Sequence, residues 1–332
     1  SIVVKSESDT FFYNLNKSGN LNKAYLDSLF DNKHLINEFY SPVSLDDLPF
    51  PDWAEYTKKY PLRNNFFGLS EKIAIPLLGT RGCPYSCFNY CTYPLQQGRK
   101  VRARSVKNII DEIKYWQKKL GTNKFVFRDP VFSINKKHTV EFCEEVIKQK
   151  LNITFMVETH LNNLDDEMIN LLSLAGLELV YVGVESASHV VLKDMKRFTV
   201  EHDKQYKVIK KCEESGIKVK TMFIIGNPED TEDTIMQTIK YSQYLPSLYA
   251  QFSVFTPYPG TPIYSEFKDL ITEKKLENFD QYKLTFKHNN LTEERIDELK
   301  GLAYLKFYFS LSKILETMKY FIKSKYGKKV IS

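Results

Sequence analysis

The chain has 332 residues, of which 42% are hydrophobic and 14% are aromatic, so it can bury a substantial core and is not a disordered polymer. The 47 Lys and Arg residues exceed the 41 Asp and Glu residues by six, and this mild basic excess gives no reason to expect a nucleic acid partner. The sequence holds no run of eighteen apolar residues and no signal-peptide pattern. We therefore expect a cytoplasmic protein.

The first part of the chain carries little structural signal. Residues 1–47 are polar, show no clear periodicity and begin with Ser rather than Met, so we interpret them as an N-terminal segment that can be the remnant of an upstream domain. Residues 48–71 are predicted to form a linker, because two prolines stiffen the sequence LPFPDW at 48–53.

From residue 72 onward, short apolar runs alternate with amphipathic segments. Repeated βα units imply a parallel sheet, and in such folds the chemistry gathers at the carboxyl ends of the strands. The polar residues that follow each apolar run are therefore the candidates for a site. Strands are predicted over 73–78, 124–127, 153–157, 179–184, 219–225 and 249–255. Helices are predicted over 106–120, 137–149, 165–175, 200–214 and 231–244.

Three of the five cysteines lie together directly after the first predicted strand. Cys83, Cys87 and Cys91 fall within nine residues of the segment GTRGCPYSCFNYCTYP. A structural zinc site needs four ligands in paired units, and neither Cys143 nor Cys212 forms a pair. Three thiolates leave one metal position open, which favours an iron–sulfur cluster with one iron free for a small molecule. A catalytic zinc site and three unliganded cysteines remain as alternatives.

This loop resembles the cluster loop of the radical S-adenosylmethionine (SAM) superfamily, whose signature is C-x3-C-x-aromatic-C. The flanking RGCPYSC and TYP resemble the branch associated with cobalamin-binding domains, which includes magnesium-protoporphyrin monomethyl ester cyclase. The resemblance implies a [4Fe–4S] cluster on the three cysteines, with Tyr90 in the place of the family's aromatic residue. The second gap holds three residues, at 88–90, where the family has two. Either the loop bulges and still binds the cluster, or the site is altered or dead.

Each later motif follows a predicted strand in the order that the family uses. The resemblance implies that residues at or after the ends of the second, fourth and fifth strands contact SAM, and that TPYPGT at 256–261 forms a rigid loop at the barrel rim. An ordinary turn at the aspartate and a solvated basic helix end at 196–197 are the alternatives. The implied SAM contacts are Asp129 for the amino group, Glu185 and Ser186 for the ribose, Arg197 for the carboxylate, and Ile224 and Gly226 for the adenine.

The residues after the third strand have no role that the resemblance supplies. Relatives often carry an Arg near this point, whereas the present sequence has Glu158, Thr159 and His160. A single histidine at a strand end is more often a satisfied turn residue than a ligand or base. Catalytic residues beyond the cofactor contacts therefore stay unassigned.

The resemblance implies a partial (β/α)6 TIM-like barrel over 72–270 and an enzyme that cleaves SAM reductively and abstracts hydrogen from an unknown organic substrate. An electron donor such as flavodoxin or ferredoxin is then the expected partner. The alternative function is a non-catalytic or altered Fe–S/SAM-binding scaffold, which the unusual C-x3-C-x3-C spacing supports.

Two further expectations concern the ends of the chain. LPFPDW resembles the linker that follows a cobalamin-binding domain, but no histidine lies in a D-x-H-x-x-G setting, so we expect no cobalamin in this chain alone. Residues 271–332 are predicted to form a helical extension across the open side of the barrel, because apolar residues recur at helical spacing over 291–325. The lysines at 323–329 offer an alternative role as a peripheral contact with an anionic membrane.

Overall fold

The computed structural model describes residues 44–59 and 73–323, together with the short segments 3–4, 16–17 and 35–36. The second half of the predicted linker, most of the N-terminal segment and the lysine-rich end at 324–332 lie outside the described residues. Val3–Val4 pairs in parallel with Leu35–Ile36. None of the helices in the described part combines the length and apolar character that a membrane span requires.

Six parallel strands form the main sheet, and they are neighbours in the same order as in the sequence. The first and last strands lie at opposite edges of this sheet, so it is open, as the partial barrel requires. All six predicted strands are confirmed to within two residues at each end. The strands are β1 Ala74–Leu77, β2 Lys124–Phe127, β3 Thr154–Thr159, β4 Leu177–Glu185, β5 Lys218–Ile225 and β6 Tyr249–Val254.

The helices follow from local capping signals and an apolar stripe. The Ser105 hydroxyl accepts a hydrogen bond from the amide of Asn108 at the start of the helix after β1, and Gly121 ends that helix with φ of 62°. The helices are α1 Trp53–Lys59, α2 Tyr93–Gln97, α3 Val106–Leu120, α4 Lys136–Lys148, α5 Asp166–Ala175, α6 His189–Asp194, α7 His202–Glu214, α8 Glu232–Tyr244, α9 Pro262–Glu266, α10 Glu293–Tyr308 and α11 Leu311–Lys323.

The core lies between the helices and one face of the sheet. Phe127 of β2 packs against Phe132, Phe142 and Phe155, with ring centroids 4.8, 5.3 and 5.8 Å away. Alternate strand residues point to the opposite face, where Met156, Leu179, Leu248 and Tyr249 form a separate apolar cluster. That cluster covers part of the other face of the sheet. A cavity lies among the loops at the carboxyl ends of the strands.

The described part of the predicted C-terminal extension contains the two helices α10 and α11, and α10 covers the exposed edge of β6. The Tyr304 hydroxyl donates to the carbonyl of Phe252 and accepts from its amide, at 3.2 and 3.1 Å. Tyr308 does the same at Ala250, at 2.8 and 3.1 Å. Two side chains thus satisfy backbone groups that an edge strand leaves unpaired. Phe307 of α10 belongs to the main core, so α10 packs directly on the barrel.

Candidate active site at the carboxyl end of the sheet

The first half of the cysteine loop is fixed by backbone contacts that require glycine. Gly82 has φ of 94°, and a Cβ there would lie 2.2 Å from the carbonyl oxygen of Lys100. The amide of Cys83 donates to the carbonyl of Gly98 at 3.1 Å. A short antiparallel ladder between Thr80–Arg81 and Arg102–Ala103 braces the same segment. The position of Cys83 is therefore fixed by the contacts of its segment with residues 98–103.

The second half of the loop forms a helical turn, Ser86–Asn89, which includes two of the three residues between Cys87 and Cys91. The amide of Cys91 donates to the carbonyl of Cys87 at 3.1 Å, and the amide of Tyr90 reaches the same carbonyl at 3.3 Å. Residues four apart on a helical turn present their side chains on one side. Cys87 and Cys91 therefore lie on one side of the turn, where the Cys91 thiol hydrogen bonds to Cys87.

The three thiols of the loop are free and differ in their surroundings. Cys83 and Cys87 are buried, whereas Cys91 is half-buried. Burial raises the pKa of Cys83. The pKa of Cys87 is lowered because it accepts a hydrogen bond from Cys91 and faces the guanidinium of Arg197, whose Nη1 lies 3.7 Å from its Sγ. The thiolate is the form of cysteine that binds metals, and Arg197 favours it at Cys87.

Arg197 also forms an ion pair with Glu185 beside the cysteines. Its Nη2 lies 3.3 Å from Glu185 Oε1 and donates to the carbonyl of Gly183 at 3.1 Å. Burial raises the pKa of Glu185 to about 6, and Arg197 opposes that rise. A Cβ on Gly183 would lie 2.3 Å from Glu185 Oε1, so the ion pair depends on glycine here. Glu185 has φ of 67°, a left-handed conformation that L-residues adopt at a cost of about 1 kcal/mol or more.

Glu158 and Tyr93 form a second polar contact in the site. The Tyr93 hydroxyl donates to Glu158 Oε2 at 3.1 Å, and burial raises the pKa of this carboxyl. Tyr93 is the tyrosine of the TYP motif, which the sequence analysis used only for the resemblance. A tyrosine directly after the cysteines was the signal that could have suggested a place in the site.

His160 is held as a turn residue. Its Nδ1 accepts a hydrogen bond from the amide of Asn162 at 3.2 Å, and its ring lies 5.0 Å from that of Tyr85. Burial lowers the pKa of His160 to about 4, so the ring is neutral at physiological pH. These contacts favour the turn interpretation over a role as a base.

One cavity of about 110 Å³ brings many of the predicted site residues together. It lies at the carboxyl ends of β3 and β4, next to Met222 of β5, and the cysteine loop forms part of its lining. Glu158, Tyr85 and Tyr93 line it too, although the sequence assigned them no role. The predicted residues on its wall are Cys83, Cys87, Tyr90, Cys91, Glu185 and Arg197.

Asp129 is not among the cavity-lining residues, and the SAM contact that the resemblance implies for it stays a prediction. Its Oδ1 accepts from the amide of Gly79 at 2.8 Å, and its Oδ2 accepts from the Thr80 hydroxyl at 2.7 Å. The residue is only 1% exposed, and burial raises its pKa to about 6. The carboxyl group therefore fixes the start of the cysteine loop, and the following Pro130 and Val131 reach the cavity instead.

Ser186, Ile224 and Gly226 also lie off the cavity wall. The Ser186 hydroxyl contacts that of Thr238 at 3.1 Å and accepts from the amide of Ser188. Ile224 packs against an apolar cluster that includes Val254 and Ile296. Gly226 has φ of 70°, and a Cβ there would lie 3.1 Å from Cδ1 of Ile296 in α10. The contacts with the ribose and the adenine that the resemblance implies for these three residues stay predictions.

A larger cavity of about 930 Å³ lies away from the cysteines, at the β1 edge. Residues of LPFPDW line it together with Arg104 and Glu112, a buried ion pair with an N–O distance of 2.6 Å. The guanidinium of Arg104 lies 5.7 Å from the ring centroid of Phe50. The first half of the predicted linker therefore packs on the barrel. This half of the linker includes the helix α1.

The donor set at the loop fits a cluster better than a single ion. Among the described residues, no group of three or more His, Cys, Asp or Glu side chains is arranged to hold one metal ion. A zinc site requires such a group, whereas a [4Fe–4S] cluster spreads its thiolates over different irons. Three free thiols on one loop, with the Arg197 guanidinium beside Cys87, suit such a cluster.

The comparisons with known proteins agree with this geometry. The family model of the radical SAM superfamily matches residues 77–242, which is half of the chain. An uncharacterized methyltransferase of Pyrococcus horikoshii is 27% identical over 84% of this chain and 60% of its own length. The anaerobic magnesium-protoporphyrin IX monomethyl ester cyclase of Rubrivivax gelatinosus is 29% identical over 77% of this chain and 44% of its own length.

Solved structures show the same fold. The cobalamin-dependent SAM radical enzyme OxsB, solved with aqua-cobalamin bound, aligns with a TM-score of 0.60 and 15% identity over 90% of this chain and 49% of that chain. The chain spans about half the length of the relatives that it matches.

Proposed function

Because this chain belongs to the radical SAM superfamily, we propose that it holds a [4Fe–4S] cluster on Cys83, Cys87 and Cys91 and uses it to cleave SAM and abstract hydrogen from an organic substrate. The observation that carries the proposal is the meeting of three free thiols with Glu185 and Arg197 around one cavity at the carboxyl end of the sheet. A substrate-binding site is expected at this end of a βα fold.

The cluster, when bound, supplies the electron that cleaves SAM to methionine and a 5'-deoxyadenosyl radical, which takes hydrogen from the substrate. The chain's own residues hold the reactants and exclude water. Arg197 offsets the negative charge that a thiolate brings to Cys87. Tyr85, Tyr90 and Tyr93 line the wall near the cysteines and limit the access of solvent to them.

The ion pair of Glu185 and Arg197 offers complementary groups to SAM. A guanidinium binds a carboxylate through two parallel hydrogen bonds, and a carboxylate accepts hydrogen bonds from two vicinal hydroxyls. Both side chains are nearly buried, and their ion pair orients them on the cavity wall. They are thereby oriented for the carboxylate and the ribose that the resemblance assigns to them.

For the substrate and the partners, we infer only the chemical class. The relatives are named as methyltransferases and as a cyclase of a magnesium porphyrin, so an organic molecule modified at carbon is the class that we infer. A flavodoxin or ferredoxin would supply the electron. Since no histidine lies in a D-x-H-x-x-G setting, we propose that this chain alone does not ligate cobalt, although OxsB binds cobalamin.

Anaerobic reconstitution tests the proposal. The purified chain is expected to take up about four irons and four sulfides and, with a strong reductant, to convert SAM to 5'-deoxyadenosine. Iron and sulfide that stay well below this level would refute the cluster. A full cluster that binds SAM without cleaving it would instead support the alternative of a non-catalytic scaffold.

A further inference from the structure

The larger cavity, at the edge of β1, has the dimensions and the wall of a binding site for an organic molecule. Its volume of about 930 Å³ lies within the range of cavities that hold small organic ligands, roughly 300–1,000 Å³. The apolar part of its wall comes from Leu48, Phe50 and Trp53 of the predicted linker and from Pro76 and Leu78 at β1. Such a wall suits the apolar body of a ligand.

The charged groups on the same wall carry a net positive charge. Arg104 and Glu112 form an ion pair with an N–O distance of 2.6 Å, so these two charges offset each other. The other charged side chains among the described residues that line the cavity are Arg81, Arg128 and Asp47. Two guanidinium groups thus stand against one carboxylate, and that carboxylate is on an exposed residue. This balance favours an anionic group on the ligand.

Arg128 is the guanidinium that is available for such a group. Its amide donates to the carbonyl of Leu77 at 2.8 Å, so its backbone continues the pairing of β2 with β1. Its side chain is exposed and lines the cavity, and within the described ranges no hydrogen bond and no ion pair reaches it. A guanidinium binds a carboxylate through two parallel hydrogen bonds. Arg128 can therefore bind a carboxylate without breaking an existing contact.

The position of Arg128 places such a ligand near the cysteine site. Val126 of β2 pairs with Met156 of β3, and two residues farther along, on the same face of the sheet, this register brings Arg128 beside Glu158. Glu158 lines the cavity that contains the cysteines, and its carboxylate is held by the Tyr93 hydroxyl at 3.1 Å. Neighbouring strands lie about 4.8 Å apart. A ligand on Arg128 is therefore one strand away from the cysteine cavity.

We propose that the larger cavity binds an apolar organic acid, with the carboxylate of the acid on Arg128 and its apolar body against the linker and the edge of β1. The binding itself does not depend on the cluster. That the acid is the substrate of the radical reaction rests on the proposed function, and it narrows the class inferred above to an organic molecule with one anionic end.

Two fluorescent probes with the same aromatic body test the assignment. Pyrenebutyrate carries a carboxylate, and pyrenebutanol carries a hydroxyl in its place. Titration of the full chain with each probe, followed by fluorescence anisotropy, gives an affinity ratio that is independent of turnover. We expect saturable binding of both and a preference for the acid of roughly 10-fold, the lower end for a hydrogen bond between charged groups. Arg128→Gln should remove most of this preference and leave the affinity for the alcohol nearly unchanged.

Two further variants serve as controls. Lys220→Gln removes a positive charge from β5 in a different cavity, so both affinities should be kept. Leu48→Trp enlarges a side chain of the apolar wall and should weaken the binding of both probes by similar factors, without a change in their ratio. The melting temperature of each variant shows whether the fold survives.

The position beside the cysteines has its own readout. In the protein reconstituted with about four irons, the emission of bound pyrenebutyrate should be quenched relative to the unloaded protein, because an iron–sulfur cluster absorbs at the wavelengths that pyrene emits. Unchanged emission in the fully loaded protein would contradict the assignment of this cavity to the substrate.

Other results would overturn the assignment as a whole. They are the absence of saturable binding of either probe, an equal affinity for both, a preference for the acid that persists in Arg128→Gln, and a preference that disappears in Lys220→Gln. Each of them would leave the proposed function intact, because probe binding requires neither iron nor SAM cleavage. Failed reconstitution with the expected probe binding would instead refute the proposed function and keep the acid-binding site.

Discussion

At the scale of single residues, the sequence predicted which side chains of the cysteine loop and of the end of β4 belong to the site. This was possible because these residues are identified by their spacing within a short stretch of sequence. Cys83, Cys87, Cys91 and Glu185 all line one cavity. The assignment of Asp129 depended on where its side chain points, and this is decided by the amide of Gly79 and the hydroxyl of Thr80, fifty and forty-nine residues away. A strand-end position gives no information about such a contact.

The five cysteines should divide into two groups. Replacing Cys83, Cys87 or Cys91 by Ala should abolish cluster loading, since each removes a thiolate that the other two cannot replace. Cys143→Ala and Cys212→Ala should keep it, because these thiols are buried in the core and burial raises the pKa of each to about 12. Iron and sulfide analysis of the five variants is the measurement. A full four-iron cluster in Cys91→Ala would place the third ligand elsewhere.

Asp129 should make the stability of the unloaded protein depend on pH. Its pKa rises from 3.8 in the unfolded chain to about 6 in the folded one because it is buried. The folded state therefore holds more protons between these values, so the free energy of unfolding should fall as pH rises from 4 to 6, by on the order of 2–3 kcal/mol for this group.

Denaturant unfolding of the unloaded protein at several pH values checks this dependence. The Asp129→Asn variant should show a flatter profile over the same interval, since it has no group to titrate there. An identical slope in the two proteins would show that Asp129 ionises at its ordinary pKa.

At the scale of elements, the apolar pattern and the capping residues predicted the six strands and the helices between them. The helix α6 was missed because six residues are too few to show a helical period. The helix α1 was assigned to a linker because the prolines at 49 and 51 dominate that stretch. Its tertiary contacts, such as the 6.0 Å separation of the rings of Phe50 and Tyr115, are not visible in a local pattern.

The hydrogen bonds of Tyr304 and Tyr308 to the edge of β6 should contribute measurably to the free energy of unfolding. Tyr304→Phe and Tyr308→Phe each remove a hydroxyl that serves both the amide and the carbonyl of one strand residue. We expect each change to cost about 1–2 kcal/mol in the free energy of unfolding, with no change in iron content. Chemical unfolding measures the first quantity. A cost near zero for both variants would mean that water replaces these hydroxyls without penalty.

The turn between Cys87 and Cys91 should tolerate the family's usual spacing. Deleting Phe88 or Asn89 changes the separation of the two cysteines from four to three residues, and both separations keep side chains on one side of a helical turn. Cluster loading should therefore be preserved or improved in either variant, as iron and sulfide analysis would show. Loss of the cluster in both deletions would mean that the present spacing is required by the loop's own packing.

At the scale of the whole molecule, the site exists only in the folded chain. Its walls come from the loop after β1, the end of β3, the end of β4 and Arg197, which are brought together by one open sheet. Sequence order indicated that these segments share one end of the sheet. It could not show that Glu158 faces the cysteines while Asp129 turns away, since that depends on packing between neighbouring βα units.

The central claim is that three cysteines hold a four-iron cluster and leave one iron open for SAM. Mössbauer spectroscopy of the protein reconstituted with ⁵⁷Fe tests it most directly. Our account predicts that, on addition of SAM, the signal of one iron in four moves while the other three keep their parameters. A spectrum in which all four irons stay unchanged with SAM at saturation, or one without a four-iron cluster, would contradict it.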